Sequence, residues 1–425
     1  MNQQTNLTLV LEATFTPSVI NDSLPAVLGD LAGASNDIVV FTSETCRQAL
    51  RPGMVPEGIT LRSYPNYFGN PCVELDAALL GRQRPVGRLV ALREFDLLRA
   101  ARVRERLGLR GMKSSAVELF RDKLLMKKAA RRHGIPTAEF MSVDAASDLL
   151  RAADAFGWPF IVKPRRKTGG TGFRVLRTSA DIQDFCRTLE ATTDWDQPLD
   201  FIAESFVGTR MYHTDGVWQG EEFVCFLANE YLGLKPHHDF NPANDLYPLS
   251  GSVSLRADKS ASAGMHRSLR DLTRRLLTAF GDGSACAFHA EIWERDGKLL
   301  LNEIACRTGG GQVNEMQKEV FGKSPDLITL RAQAGLDQDV MDKPPREVLV
   351  ARVPPVSGEF VGMDGALPDG IRAALTVSPG QRMQSPSSWL DSVGYVYCHG
   401  NGRSDVVSKY EQFMQQFAAS VRREG

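Results

Sequence analysis

A glycine-rich loop that follows a lysine at the end of an apolar strand constrains the fold of this chain more than any other feature. The strand covers residues 160–163, and the loop, residues 163–172, combines glycines and threonines with four cationic side chains. Glycines let backbone amides converge on an anion, and threonine hydroxyls add further donors. Such a loop between two strands could close over a triphosphate. Taken alone, it fits a mobile, solvated hairpin tip equally well.

Two lysines are candidate phosphate ligands. Lys163 ends the apolar strand, where its ammonium group would be partly desolvated and would need a fixed anionic partner. Lys123 lies within one continuous predicted helix, which begins near residue 114 and ends at Gly134. The neighbouring Lys127 and Lys128 are expected to be ordinary solvated lysines on the surface of this helix.

Two acidic residues lie inside apolar strands. Glu291 and Glu303 have hydrophobic neighbours, and two such carboxylates would be tolerated side by side if a divalent cation lay between them. Residues 295–297, Arg-Asp-Gly, predict a three-residue hairpin loop. In that register His289 lies opposite Glu303. Glu291 then lies opposite Leu301, and both acids face one side, one diagonal apart. A two-residue turn would put them on opposite faces and exclude the metal site.

Two further segments could contact a nucleotide. Arg307 precedes the glycine-rich residues 308–311 and a predicted helix, and such an entry to a helix binds anions readily. The same segment also fits a flexible connector. Residues 201–208 form an apolar strand that breaks into a turn, which can present backbone groups to an adenine edge with Phe206 and Val207 against its face. Considered alone, this segment is an ordinary strand end.

Composition and missing motifs exclude several classes of protein. The chain of 425 residues has 50 basic and 51 acidic side chains, so no global field attracts nucleic acid or anionic lipid. No signal peptide is recognisable, and no apolar run approaches the ~20 residues of a membrane-spanning helix. Seven cysteines, none close to another, argue for reduced thiols in the cytoplasm. A P-loop is excluded because Gln317 replaces its first glycine, and no dinucleotide-binding GxGxxG occurs.

The pattern of apolar segments predicts several units along the chain. The first ~115 residues alternate apolar runs with helix-like segments, which predicts a parallel sheet with helices. A helix from about residue 180 is expected to have Ser179 as its N-cap. After about Arg331 the chain is rich in proline and glycine, which predicts a small α+β appendage ending in a helix from about Ser404.

In order and spacing, these elements resemble the ATP-grasp superfamily over roughly residues 88–335. They are an Arg-Asp-Lys sequence in a helix, Ile-Val-Lys-Pro with a glycine-rich loop about forty residues later, a Glu-x-Phe-Val hinge, two glutamates twelve residues apart, and Asn-Glu-Ile-Ala-Cys-Arg-Thr-Gly-Gly-Gly. Residues 91–111 also resemble the subfamily that contains bacterial L-amino-acid ligases and carnosine synthases.

The resemblance implies an α/β and α+β multidomain chain with the ATP-grasp fold. The implied domains are an N-terminal α/β pre-ATP-grasp domain with a parallel sheet (1–115), an ATP-grasp small lobe with a phosphate-binding lid (116–203), a large lobe with the metal and substrate sites (204–335) and a small C-terminal α+β subdomain (336–425).

The resemblance also implies a role for each matching residue. The ATP-binding residues would be Lys123, Lys163, Thr168, Gly169, Gly170, Thr171, Gly172, Glu204, Phe206, Val207 and Asp215. Glu291 and Glu303 would hold Mg²⁺, with two ions expected and Mn²⁺ as an alternative, and the catalytic residues would be Arg307 and Lys163. Weaker candidates for contact with substrate are Arg307, Gly309, Gly310, His237, His238 and His289.

Two positions depart from the family pattern. Ala305 stands where many relatives have an asparagine two positions after the second metal glutamate, which leaves one metal ligand open. Met211 stands where an acid is common, so that ribose binding would fall to Asp215 or His213.

The implied activity is that of an ATP-dependent ligase. It would phosphorylate a carboxylate and couple the acyl phosphate to an amine, releasing ADP and phosphate, with small molecules, amino acids above all, as substrates and a dipeptide or amino-acid amide as product. A homodimer is compatible with this class. Two alternatives stay open: a carboxylase or purine-pathway-type ligase that uses bicarbonate or formate, and a nucleotide-binding protein without catalysis.

Overall fold

The computed structural model describes residues 7–12, 37–50, 55, 58–168, 171–190, 197–208, 210–233, 251–336, 347–363, 365–386 and 391–422 of the chain. Four sheets are present in this part. None of the seven cysteines, all of which lie in the described ranges, forms a disulfide. No helix in the described ranges is both long and apolar enough to cross a membrane.

The N-terminal part is a four-stranded parallel sheet, as the alternating apolar runs predict. Its strands β1 (Leu7–Glu12), β2 (Ile38–Ser43), β3 (Ile59–Tyr64) and β4 (Val86–Ala91) are arranged in the order β3-β2-β1-β4. Its helices are α1 (Glu44–Ala49), α2 (Cys72–Gln83) and α3 (Glu94–Leu107). Strands β1 and β2 are buried along their whole length, because a parallel sheet is covered on both faces.

The segment predicted as one helix is two helices, α4 (Ser114–Arg121) and α5 (Lys123–Arg132). Asp122 separates them with an extended backbone, at φ −90° and ψ 105°. Its carboxylate accepts hydrogen bonds from the backbone amides of Leu124 and Leu125, so Asp122 is the N-cap of α5. The single-helix prediction was wrong because an aspartate within an apolar helical pattern can break the helix and cap the next one.

Residues 140–205 contain a four-stranded antiparallel sheet. Its strands are β5 (Phe140–Val143), β6 (Phe160–Pro164), β7 (Arg174–Leu176) and β8 (Phe201–Ser205), in the order β5-β8-β6-β7. Its helices are α6 (Asp148–Phe156) and α7 (Ser179–Leu189). The N-cap of α7 is Thr178, one residue before the predicted Ser179, because Thr178 and Asp181 form a capping box.

The central sheet has eight strands: β9 (Met211–Gln219), β10 (Glu222–Leu232), β11 (Gly251–Ser254), β12 (Cys286–Arg295), β13 (Lys298–Ala305), β14 (Glu347–Arg352), β16 (Ile371–Leu375) and β18 (Gly394–Gly400). Their order in the sheet is β13-β12-β9-β10-β11-β14-β18-β16. The last three come from the region predicted as an appendage. That region therefore continues the central sheet. Its final helix, α11 (Arg403–Ala419), begins within one residue of the predicted position.

Helices cover both faces of the central sheet. On one face, Phe226 and Ala228 of β10 share a core with Leu269 of α8 (Ser260–Phe280). On the other, Leu227 packs with Met316 of α9 (Gln312–Phe321), and α10 (Pro325–Ala334) follows. Successive residues of a strand point to opposite faces, so these two cores identify the face on which any residue of the sheet lies. A small three-stranded sheet contains β15 (Gly358–Phe360), β17 (Arg382–Met383) and β19 (Val421–Arg422).

Candidate active site

The two glutamates lie directly opposite each other on neighbouring antiparallel strands. The hairpin between β12 and β13 has a two-residue turn, Asp296-Gly297, with both residues at positive φ (52° and 73°). The predicted three-residue loop was therefore wrong. Between Glu291 and Ile292 the register shifts by one residue, and this bulge restores the parity that the shorter turn would have lost. Glu291 and Glu303 thus share one face, as the metal hypothesis requires.

Asn302, the extra residue of the bulge, connects Glu291 to a lysine. Its side-chain amide donates to Glu291 Oε2 at 2.8 Å, and its Oδ1 accepts from Lys163 Nζ at 3.0 Å. Glu291 also accepts a hydrogen bond from the hydroxyl of Tyr231 at 3.3 Å. Asn302 was not among the predicted residues, although a polar residue directly after three leucines of an apolar strand indicates a special position.

Lys163 and Lys127 enclose Glu204 in a buried cluster of charges. Lys163 Nζ lies 3.0 Å from Glu204 Oε1, and Lys127 Nζ lies 3.1 Å from Oε2. Lys127 also donates to the carbonyl oxygen of Leu301 at 3.2 Å. Burial lowers the pKa of Lys127 to about 8 even though Glu204 opposes this shift. The prediction that Lys127 is a solvated surface lysine was wrong, because its side chain has no exposed surface, whereas Lys128 is exposed.

Glu204 was expected to contact the adenine amino group. Its carboxylate is instead paired with the two lysines, and burial, which raises the pKa of a carboxyl group, is outweighed by their attraction, which lowers it. The adenine contact stays a prediction. Phe206 and Val207 follow β8 and are partly exposed at the expected hinge.

Lys123 is positioned by the helix break at Asp122. Because α5 starts at Lys123, its ammonium group reaches Glu303 Oε2 at 3.2 Å and the carbonyl oxygen of Lys167 at 2.8 Å. Burial would raise the pKa of Glu303, but Lys123, Lys163 and Arg307 lower it to about 2. The two lysines, the two acids and the arginine therefore converge on one place.

Arg307 contacts the first turn of α3. Its Nε donates to Glu94 Oε2 at 3.0 Å, and its Nη1 donates to the carbonyl oxygen of Thr308 at 2.9 Å. Thr308 in turn donates to Asp326 Oδ1 at 3.1 Å, and Asp326 pairs with Arg93 at 2.8 Å. Glu94 was not among the predicted residues, since nothing in the sequence connects it to a position 213 residues later.

A histidine cluster borders Glu291. Asp215 is fully buried and accepts from His213 Nδ1 at 2.5 Å and from His289 Nδ1 at 2.7 Å. These two distances are those of hydrogen bonds and are too short for ligands that share a metal ion. Nitrogen and oxygen ligands around a tetrahedral ion are about 3.3 Å apart. Asp215 and the alternative, His213, were expected to bind ribose. This stays a prediction that their complete burial does not favour. His289 Nε2 lies 3.7 Å from Glu291 Oε1.

Most of the remaining predicted residues belong to the two glycine-rich segments, residues 163–172 and 308–311. Gly309 is buried against His289, and a Cβ atom there would lie 2.3 Å from a methyl group of Val313, whereas Gly310 is exposed with no atom near such a position. In the lid, the amide of Thr171 donates to the Thr168 carbonyl at 3.3 Å, and Gly172 has a positive φ of 79°. Four predicted residues lie outside the described part of the chain: Gly169, Gly170, His237 and His238.

Comparisons with known proteins identify relatives of this chain in sequence and in fold. A family model described as ATP-grasp domain matches residues 128–211. The L-arginine-specific L-amino acid ligase of Bacillus subtilis is 25% identical over 244 residues, which are 56% of this chain and 56% of the relative. The carbamoyl phosphate synthase large chain of Caldanaerobacter subterraneus is 30% identical over 288 residues, 65% of this chain and 26% of the relative. The crystal structure of an L-amino acid ligase from Bacillus licheniformis covers 100% of both chains at a TM-score of 0.69 and 14% identity.

The chain therefore contains an ATP-grasp domain and has the ATP-grasp fold. The resemblance to ATP-grasp ligases expected from the sequence motifs is confirmed by these relatives. The match spans about half the length of the arginine-specific ligase and about a quarter of the carbamoyl phosphate synthase chain. At 14% identity the structural likeness concerns the fold alone.

Proposed function

We propose that the protein is an ATP-dependent carboxylate–amine ligase that forms an amide bond through an acyl phosphate and releases ADP and phosphate. The observation that supports it is the convergence of Lys123, Lys163, Glu291, Glu303 and Arg307, which come from three separate parts of the chain. Such a set of charges serves phosphoryl transfer, because this reaction depends mainly on positioning and electrostatic stabilisation.

The donor set at the two acids fits Mg²⁺. Two carboxylates directly opposite each other repel, and Glu291 and Glu303 are only partly buried, so their oxygens are accessible to a hard cation. We propose that these residues hold two Mg²⁺ ions, with Mn²⁺ as an alternative. When bound, such ions neutralise phosphate charge. Ala305 supplies no ligand, so Asn302 is the nearest side-chain oxygen on β13 other than Glu303.

In the first step the substrate carboxylate oxygen attacks the γ-phosphorus, and the bond from this phosphorus to the bridging oxygen of ADP breaks. Lys123 and Lys163 would bind the phosphates, and Arg307 would bring the carboxylate to them. In the second step the amine attacks the acyl carbon, phosphate leaves with the carbon–oxygen electron pair, and the nitrogen loses a proton. Arg307 would stabilise the charge that develops on the acyl oxygen.

The lid is proposed to exclude water. An acyl phosphate hydrolyses readily, so closure of residues around Thr168, Thr171 and Gly172 over the site would protect it. Lys167, at the start of this segment, already accepts a hydrogen bond from Lys123 through its carbonyl oxygen. This contact supports the proposal, because it brings the start of the loop next to Lys123.

The substrates are proposed to be an amino acid that supplies the carboxylate and an amino acid or related amine that accepts it, because the relatives include L-amino acid ligases. The test is phosphate release from ATP with Mg²⁺ across pairs of amino acids and small carboxylic acids, followed by the mass of the product. Release that needs both partners, with a product lighter than their sum by one water, supports the proposal. Glu303→Gln is the matched control and should abolish release. If no pair in the panel gives release that depends on both partners, the ligase proposal is contradicted.

A second candidate is an ATP-dependent carboxylation in which bicarbonate, activated by phosphorylation, supplies the carboxyl group that is transferred to an acceptor. It is favoured by the similarity to the carbamoyl phosphate synthase large chain, which has the higher identity of the two sequence relatives. Under this candidate, ADP release requires bicarbonate and continues without any amino-acid pair. Under the ligase proposal, removal of bicarbonate leaves the rate unchanged. The expected homodimer and the cytoplasmic location stay predictions.

A further inference from the structure

A cleft that is distinct from the candidate active site lies between the N-terminal sheet and the central sheet. Its volume is about 810 Å³, and its walls come from β4, α3, the loop 109–113, the segment before β12 and the end of α10. It is lined by both charged and apolar side chains, among them Arg104, Leu89, Leu97 and Val117.

This cleft is separate from the candidate active site. Cys286 and Cys306 line it, and they share the core of Phe288 and Ile304, which belongs to one face of the central sheet. Glu291 and Glu303 are displaced from these cysteines by odd numbers of residues, so they point to the opposite face. Along β12, Cys286 and Glu291 are also roughly 17 Å apart at the usual rise of a strand.

Arg104 is a buried cation for which the described residues of the chain supply no ion-pair partner. It is 5% exposed, and its Nε and Nη2 both donate to the carbonyl oxygen of Leu89, at 3.1 and 3.0 Å. Among the residues that the structure describes, no carboxylate forms an ion pair with it. The nearby Asp282 accepts from the backbone amides of Lys113 and Ser284, and it acts on Arg104 only through longer-range attraction.

The missing counter-ion is the observation that points to a ligand. Burial lowers the pKa of Arg104, yet a guanidinium group stays charged in proteins. A buried charge is costly unless it is paired. A neutral glutamine side chain could donate the same hydrogen bond to the carbonyl oxygen of Leu89. This hydrogen bond alone therefore does not explain why a cation lies at this position. Gly111 also packs against the guanidinium group so closely that a Cβ atom there would lie 2.8 Å from Nε.

The rim of the cleft adds positive charge. Arg88 is partly exposed, whereas Arg110 and Lys113 are exposed, and all three line the cleft together with a single acid, Asp282. Clustered cations around a partly enclosed space attract and retain anions.

We infer that this cleft binds a small organic anion, with its carboxylate or phosphate group on Arg104 and an apolar portion against Leu89, Leu97 and Val117. The inference goes beyond the proposed ligase activity and does not depend on it. The cleft lies on the opposite sheet face, so a ligand there would leave the carboxylate pair free.

The test is isothermal titration calorimetry of the full chain with benzoate, a carboxylate that carries an apolar group, at constant ionic strength. We expect saturable binding that weakens about ten-fold or more in Arg104→Gln, since a hydrogen bond to a charged group contributes on this scale. The matched control is Arg99→Gln on the same helix, because Arg99 also donates to backbone carbonyls, those of Tyr67 and Phe68, but does not line the cleft. It should bind benzoate normally.

Binding at the candidate active site is distinguished by Arg307→Ala, which should leave the affinity for benzoate unchanged. If Arg104→Gln does not fold, the double variant Arg110→Glu/Lys113→Glu at the exposed rim tests the inference instead. We expect this variant to bind benzoate about five-fold more weakly than the wild type. Equal affinity in the wild type and in the folded cleft variants, or no saturable binding, would overturn the inference. Inorganic phosphate is the second probe. Binding tighter than that of benzoate would overturn the assignment of an apolar subsite.

Discussion

Glu291 and Glu303 lie directly opposite each other because β13 contains one residue more than β12 between the turn and this pair. The residue is Asn302, and it joins Glu291 to Lys163 through its two side-chain atoms. The same irregularity that aligns the acids therefore also connects Glu291 to Lys163 at the end of β6. Bulges often occur beside active sites for this reason, since they re-aim side chains.

Asn302→Ala should keep the bulge but remove both side-chain hydrogen bonds. We expect turnover to fall roughly ten-fold, because each lost bond involves a charged group. Steady-state phosphate release measures this, and the exposed Asn401→Ala serves as the control. Full activity of Asn302→Ala would show that the link between Lys163 and Glu291 is dispensable.

Arg307→Ala should lower turnover about 10²-fold or more, by analogy with the loss of a donor that stabilises charge on an acyl oxygen. The binding of ATP should change much less, because Lys123 and Lys163 remain. Arg295→Ala on the exposed hairpin is the control. Unchanged turnover with the natural substrates would remove Arg307 from the mechanism.

Lys127→Met should destabilise the protein by about 3 kcal/mol, because it leaves Glu204 buried with half of its compensating charge. Denaturant unfolding measures this difference. Lys128→Met, one residue along the same helix, should stay within about 0.5 kcal/mol of the wild type, because Lys128 is exposed. Equal unfolding midpoints for the two variants would contradict the burial of Lys127.

His289 should contribute stability that is lost between pH 6.5 and 9, whereas Lys127, with its pKa lowered to about 8, acts in the opposite direction above about pH 8. Burial lowers the pKa of this imidazole, but Asp215 raises it to about 9, above the ordinary 6.5. The folded state then binds more protons than the unfolded state in this window. Its contribution is complete below about pH 6.5 and is lost as the pH rises through 9, by up to about 3 kcal/mol.

Denaturant unfolding at several pH values measures this dependence. His289→Asn should flatten the curve in that window, whereas His133→Asn, which removes an exposed histidine, should leave it unchanged. The same dependence on pH in the wild type and in His289→Asn would show that His289 is not held as a cation.

Local sequence patterns predict the type of each element here better than the way the elements meet. The parallel N-terminal sheet follows from apolar runs that must be buried on both faces. By contrast, the break at Asp122 required knowing that its carboxylate would cap α5 and bind Arg165, which lies 43 residues later. The hairpin shows the same limit. Its Asp-Gly turn permits either loop length, and only the side-chain partners of Asn302 settle the register.

The candidate site was predictable where a charged residue lies in an apolar strand, as Lys163, Glu291 and Glu303 do. Such residues need partners, and this need identifies them in the sequence. Lys127 and Glu94 could not be found in this way. Lys127 follows a helical pattern in which lysines are usually exposed, and Glu94 acts on Arg307 only because two domains pack together.

The most direct test of the account is a crystal structure of the protein with Mg²⁺ and a non-hydrolysable ATP analogue. We expect phosphate oxygens within about 3 Å of the Nζ atoms of Lys123 and Lys163. We also expect metal ions about 2.1 Å from oxygens of Glu291 and Glu303. A nucleotide bound elsewhere, or bound here without contact to these four side chains, would contradict the central claim that they form one triphosphate site.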